Sequence, residues 1–159
     1  MINRLASISA GVALCALLFQ AQGADPSGAR LWTAADFNAL EKILATKMDA
    51  TKSGSQQVMN MKTHNALVFH REGTGEPEIH VKLADFMVVL SGEGQIQVGG
   101  NLTEGKSTAP DEIRGKTLEG GMMYKIAQGD VLYVPANTPH RTHVAAGKQL
   151  NVMVIKVQP

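Results

Sequence analysis

Two short stretches hold residues from which a reaction centre could be built. The first is Glu78-Ile79-His80-Val81-Lys82-Leu83, followed after one residue by Asp85. Alternation along an extended strand sends Ile79, Val81 and Leu83 to one face and Glu78, His80 and Lys82 to the other. A carboxylate and an imidazole two residues apart thus project to the same side and can bind one ion together. The second stretch runs from Asp130 to His143, where His140 follows a strongly apolar strand and Pro135 and Pro139 stiffen the approach. Neutral imidazole with carboxylate oxygen suits a divalent transition ion such as Fe, Mn, Ni, Zn or Cu. Two histidines and one carboxylate make the open-sided set of non-haem iron oxygenases. Two carboxylates in one pocket raise a pKa by mutual repulsion, so a metal ion or a buried base has to accompany them.

The candidate metal ligands are therefore His80, His140, Asp85 and Glu78. Three roles stay open for Glu78: ligand, catalytic base moving a proton or substrate-binding carboxylate, and ion-pair partner of Lys82. His64, which alternation places on one strand face with His70, and Met87 are candidates for lining the pocket. His143 comes three residues after His140 and falls on the opposite side of an extended strand, as a rim residue. Met87, Met122, Met123 and Met153 could serve as soft copper ligands. Each lies in an apolar strand, however, where methionine ordinarily fills the core.

Holding such a set takes a series of strands. Period-two patterning covers His64 to His70, Ile79 to Leu83, Phe86 to Leu90, Gln95 to Val98, Met122 to Ile126, Val131 to Val134 and Leu150 to Val157. Glycine-rich turns separate them, notably Ser91-Gly92-Glu93-Gly94 and Gln128-Gly129-Asp130. Ahead of the strands, Thr33 and Asp36 form a capped start, and Phe37, Leu40, Leu44 and Met48 recur at helical spacing. The pattern predicts one short helix over 34–49, lying on one face of a barrel and ended by Ser53-Gly54-Ser55. Many short strands after a single helix specify an all-β antiparallel sandwich or barrel. Residues 101–120, rich in Gly, Thr, Lys and Glu, break the rhythm. A loop that long forms a lid at the barrel mouth, a surface excursion or a short extra hairpin.

The motif spacing resembles the cupin superfamily. The family's first motif is matched by Glu78-x-His80, four residues, Asp85, six residues, Gly92. Its second is matched by Gly129, five residues, Pro135-x-Asn137, two residues, His140, three residues, Val144. The resemblance covers about residues 60–157 and implies a single jelly-roll β-barrel, a divalent metal, a small-molecule ligand and a homodimer. His80 and His140 fall on metal-histidine positions, and Asp85 on that of the metal glutamate, one methylene shorter. Glu78 replaces the first histidine, an anion where the family has a neutral ligand. Asn137 stands for a glycine, a mild departure because Asn tolerates turn conformations.

The ends and the composition limit the function further. Arg4 precedes the uncharged run Leu5 to Phe19, and Ala21-Gln22-Gly23 offers small residues to a peptidase. This is the layout of a cleaved signal peptide, and the run is shorter than the ~20 residues of a membrane span. The expected organisation is a signal peptide over 1–23, a lead-in and helix over 24–57 and the barrel over 58–159, in a periplasmic or secreted protein. Loss of residues 1–23 removes Cys15, the single cysteine, so the core alone must hold the domain together. It also removes Arg4, leaving 14 basic and 14 acidic residues. With no basic run, nucleic acid is excluded as a partner, and nothing marks a membrane anchor after cleavage. Three functions stand open: a metal-dependent oxygenase, isomerase or similar enzyme, a non-catalytic protein binding a small ligand or metal, and a structural barrel with a vestigial pocket.

Overall fold

The computed structural model describes residues 27–159, so the expected signal peptide, residues 1–23, lies outside the described residues. Helix α1 spans Ala34–Ala45. Its start is capped reciprocally: Asp36 Oδ2 accepts from Thr33 N (2.8 Å) and Thr33 Oγ1 (2.7 Å), while Asp36 N donates to Thr33 Oγ1 (3.2 Å). The helix stops four residues short of the predicted end because Asp49 organises a turn. Its Oδ1 accepts from Thr51 N (2.8 Å) and Ser53 N (3.2 Å). Ser53, Gly54 and Ser55 accordingly open a strand and do not close the helix. A Cβ on Gly54 would stand 2.5 Å from the Leu44 carbonyl oxygen, so this strand start requires glycine. The chain divides into a compact unit ending at Ile43 and a second, Leu44–Pro159, that contains every strand.

Twelve strands follow: β1 (Ser53–Asn60), β2 (His64–Arg71), β3 (Glu78–His80), β4 (Ala84–Val98), β5 (Asn101–Thr103), β6 (Lys106–Ala109), β7 (Glu112–Arg114), β8 (Thr117–Glu119), β9 (Met122–Ala127), β10 (Val131–Val134), β11 (His140–His143) and β12 (Leu150–Val157). All pairings are antiparallel. One layer runs β1-β2-β12-β4-β10 and the other β9-β4-β11-β3-β7-β6. Strand β4 belongs to both. The two strands expected at Phe86–Leu90 and Gln95–Val98 are one 15-residue strand that bends at Gly92. Gly92 has φ +75°, and a Cβ there would lie 2.1 Å from the Gln149 carbonyl oxygen. Only glycine fits this corner.

Between the layers, Met87, Val89, Ile96, Ile126, Val134, Val144, Leu150, Val152 and Val154 form the core, with Phe69, Val98 and Leu132 packed against it. Alternation from these positions identifies the concave faces. Strand β2 contributes Asn65, Leu67, Phe69 and Arg71, whose partners on β12 are Lys156, Val154, Val152 and Leu150. The segment 101–120, expected as a loop or a hairpin, holds four short strands. β5 pairs with β8, and the β6–β7 hairpin joins the main sheet through β3. This attachment matters for the site.

Candidate metal centre

The four candidate ligands meet where the two layers join. Glu78 and His80 sit on β3, which is held by β7 on one side and by the pairing of His140 with Glu78 on the other. Asp85 opens β4, opposite Lys156 of β12 and Val134 of β10. The turn that delivers His140 is fastened to the first motif, because Asn137 N donates to the His80 carbonyl at 2.7 Å. Asn137 itself has φ +57°, a conformation Asn tolerates in the place of glycine.

His80, Asp85 and His140 are 6%, 2% and 2% exposed. Glu78 Oε1 lies 3.9 Å from His80 Nε2 and 3.6 Å from His140 Nε2. Asp85 Oδ2 lies 3.4 Å and 3.6 Å from the same two nitrogens. Donor atoms of Glu78, His80 and His140 all fall within 4.8 Å of one another. An ion with bonds of about 2.1 Å has ligand-to-ligand edges of roughly 3.4 Å when tetrahedral. These residues fit a divalent ion with small adjustments.

The supporting contacts suit the same use. His140 Nδ1 donates to the Thr138 carbonyl at 3.0 Å, turning Nε2 into the centre. That Nε2 is buried and has no hydrogen-bond partner. Glu78 Oε2 forms an ion pair with Arg114 Nη2 at 2.7 Å, which leaves Oε1 for the centre. Arg114 also engages Glu112 at 2.6 Å. The pairing of Glu78 is thus with Arg114 and not with Lys82, which reaches Asp111 at 3.1 Å.

One cation is already present. Lys156 Nζ donates to His80 Nε2 at 2.5 Å and lies 3.2 and 3.3 Å from the two Asp85 oxygens. An ammonium has donors only, so His80 must accept with the lone pair a metal ion would use. Lys156 therefore satisfies the His80–Asp85 half of the cluster, while in the other half Arg114 pairs with Glu78 and His140 Nε2 has no hydrogen-bond partner. Burial pushes the Glu78 and Asp85 carboxyls up, but their cationic neighbours prevail. The His140 ring and Arg114 hold Glu78 far below its ordinary value. The Lys156 ammonium and the His140 ring lower Asp85. Burial pulls His140 down, and the Glu78 and Asp85 carboxylates with the Thr138 carbonyl raise it overall.

The remaining candidates fall elsewhere. Lys156 faces Asn65 and Asp85, so alternation puts His64, the partner of Val157, on the opposite face of the sheet, away from the pocket. There it meets Thr63 Oγ1 at 3.1 Å. His70 shares that outer face and joins Asn151 at 2.8 Å. Met87 is buried among the core residues on the concave side. His143 points away from His140 and engages Gln97 Oε1 at 3.0 Å. Lys156 and Arg114 were missed as site residues. Lys156 shares parity with Leu150, Val152 and Val154 on an otherwise apolar strand face, a legible signal. The position of Arg114 has none.

No family model matches the sequence, and no curated protein matches it. Solved structures do. A conserved protein from Klebsiella pneumoniae subsp. pneumoniae with a double-stranded β-helix domain aligns with TM-score 0.53 at 11% identity, covering 82% of this chain and 90% of that one. The cupin domain of Cnp3 from Schizosaccharomyces pombe gives 0.52 at 7% identity, over 68% and 66%. The chain has the cupin fold. The polyketide cyclase RemF from Streptomyces resistomycificus aligns at 0.50 with 15% identity, over 69% and 68%. Within this cupin barrel, the Asp85–Lys156 pair sits beside the histidine–glutamate cluster.

Proposed function

We propose that this cupin is a metal-dependent enzyme acting on a small organic molecule, with the ion held by His80, His140, Glu78 and Asp85. The observation that carries the reading is His140 Nε2, a buried ring nitrogen without a hydrogen-bond partner, 3.6 Å from each of two carboxylates. Once bound, a divalent ion with an open position would polarise a substrate oxygen or activate water. The chain's own residues supply the rest. Thr138 fixes the His140 ring, Arg114 fixes Glu78, and Lys156 is the proton donor nearest the centre. The likeness in fold to a polyketide cyclase supports a small organic substrate.

A second reading, a metal-free ligand-binding barrel, is favoured by Lys156, which already neutralises Asp85. Metal analysis of the untagged mature protein separates the two. The enzyme reading expects close to one transition ion per chain, lost in His140→Ala with the fold retained. No ion after refolding with Fe, Mn, Ni, Zn or Cu refutes it. Export and homodimerisation belong to the same proposal, supported by the Leu5–Phe19 run and by the family resemblance.

A further inference from the structure

A second guanidinium lies inside the barrel, and it is unspent. Alternation along β2 sets Arg71 on the concave face with Phe69, and its Cζ stands 5.4 Å from the Phe69 ring centroid. The group rests against bare backbone: a Cβ on Gly75 would come 2.8 Å from Arg71 Nη1. Gly75 N in turn donates to the carbonyl of Thr142, two residues beyond His140 on β11. The neighbouring cations all have partners. Arg114 holds Glu78 and Glu112, Lys156 holds Asp85, and Arg141 Nε donates to the Gly75 carbonyl at 2.8 Å. Among the described residues, no carboxylate lies within 4.0 Å of the Arg71 guanidinium and no hydrogen bond engages it. Burial makes its charge harder to hold, and Glu78 and Asp49 favour that charge from beyond pairing distance, against Arg114.

A desolvated guanidinium with free donors is costly unless a partner arrives. Its planar fork matches a carboxylate bidentately, and an aromatic face beneath it keeps the plane in place. We propose that Arg71 is the anion subsite of the barrel and that the substrate is a small organic acid whose carboxylate docks on Arg71 while its reacting end faces Glu78, His80 and His140. This rests on the enzyme reading above for the second half only; the subsite itself does not need the ion. A carboxylate is favoured because its two coplanar oxygens match the planar fork of Arg71.

The test uses metal-free mature protein titrated with malonate and with benzoate, followed by calorimetry and by the Arg71 Nε–H resonance. At least one probe is expected to bind and shift that resonance. Charge-assisted hydrogen bonds of this kind correspond to about 10–100-fold in affinity. Arg71→Met is expected to lose about that much, and Arg71→Lys, which keeps the charge without the fork, to lose less. Equal affinity in folded Arg71→Met, or no shift of the resonance with either probe, overturns the subsite. Failure of the protein to bind metal leaves this titration intact, so the two readings fail separately.

Discussion

Replacing Lys156 by methionine tests the idea that the ammonium and a metal ion compete for the same charge. In the metal-free protein Lys156 Nζ is 3.2 Å from Asp85 Oδ1, and the Asp85 side chain is 2% exposed. At an effective dielectric near 20, that separation corresponds to about 5 kcal/mol of attraction before desolvation is subtracted. Breaking a buried pair by removing one partner costs about 3–5 kcal/mol. The low end applies because the Lys156 side chain keeps 15% exposure. A loss of about 3 kcal/mol lowers the melting temperature of a domain this size by roughly 6–12 °C. An ion bound by His80 and Asp85 would restore the missing positive charge. Lys156→Met should therefore bind Zn²⁺ more tightly than wild type, by about 100-fold if the full 3 kcal/mol is recovered. Scanning calorimetry of metal-free and zinc-loaded protein, with competition titration for affinity, reads both effects. The reasoning is refuted by an unchanged metal-free melting temperature, or by zinc affinity no higher than wild type.

Two further outcomes follow from the same contacts. Arg114→Gln removes the 2.7 Å bond that orients Glu78, and metal affinity should fall about 10–100-fold with stoichiometry unchanged; an unaltered titration contradicts that role. Folded-state carboxyls held below their ordinary values stabilise above the unfolded value of about 4 and lose this contribution as pH falls through the folded values. The metal-free protein should thus show a steep loss of melting temperature below about pH 4, and Asp85→Asn should flatten it; identical acid limbs would argue against the pairing.

The legible parts of the sequence were those governed by a local rule. Alternation located β2, β9, β10 and β12, since one buried face repeats every second residue. The Thr33–Asp36 cap marked where α1 begins. Its end was misplaced because Met48 continues the helical spacing, and nothing in the spacing reveals that Asp49 binds Thr51 and Ser53. The cluster of Glu78, His80 and His140 could be inferred from two motifs. Its cation could not be assigned, although two facing carboxylates required a metal ion or a base. That base is Lys156, at an inward position of β12. Arg114 reaches Glu78 only through the β3–β7 pairing, a long-range contact between a weakly patterned segment and a three-residue strand. Alternation alone makes His64 a candidate for lining the pocket, whereas facing is decided by the register with β12.

The ligands rest on ladders of unequal length, and this separates how firmly each is anchored. Asp85 and Lys156 lie in the β4–β12 ladder of eight paired positions, whereas Glu78 and His80 depend on β3, three residues long and joined to β11 at one position. Short ladders open locally at lower free energy than the global transition. Amide exchange should accordingly rank the two halves of the centre, with β3 and β7 exchanging well before β4 and β12. For an ion held as proposed, a brief opening of β3 and β7 would free two donors while Asp85 stays fixed, offering a way in and out without unfolding the barrel.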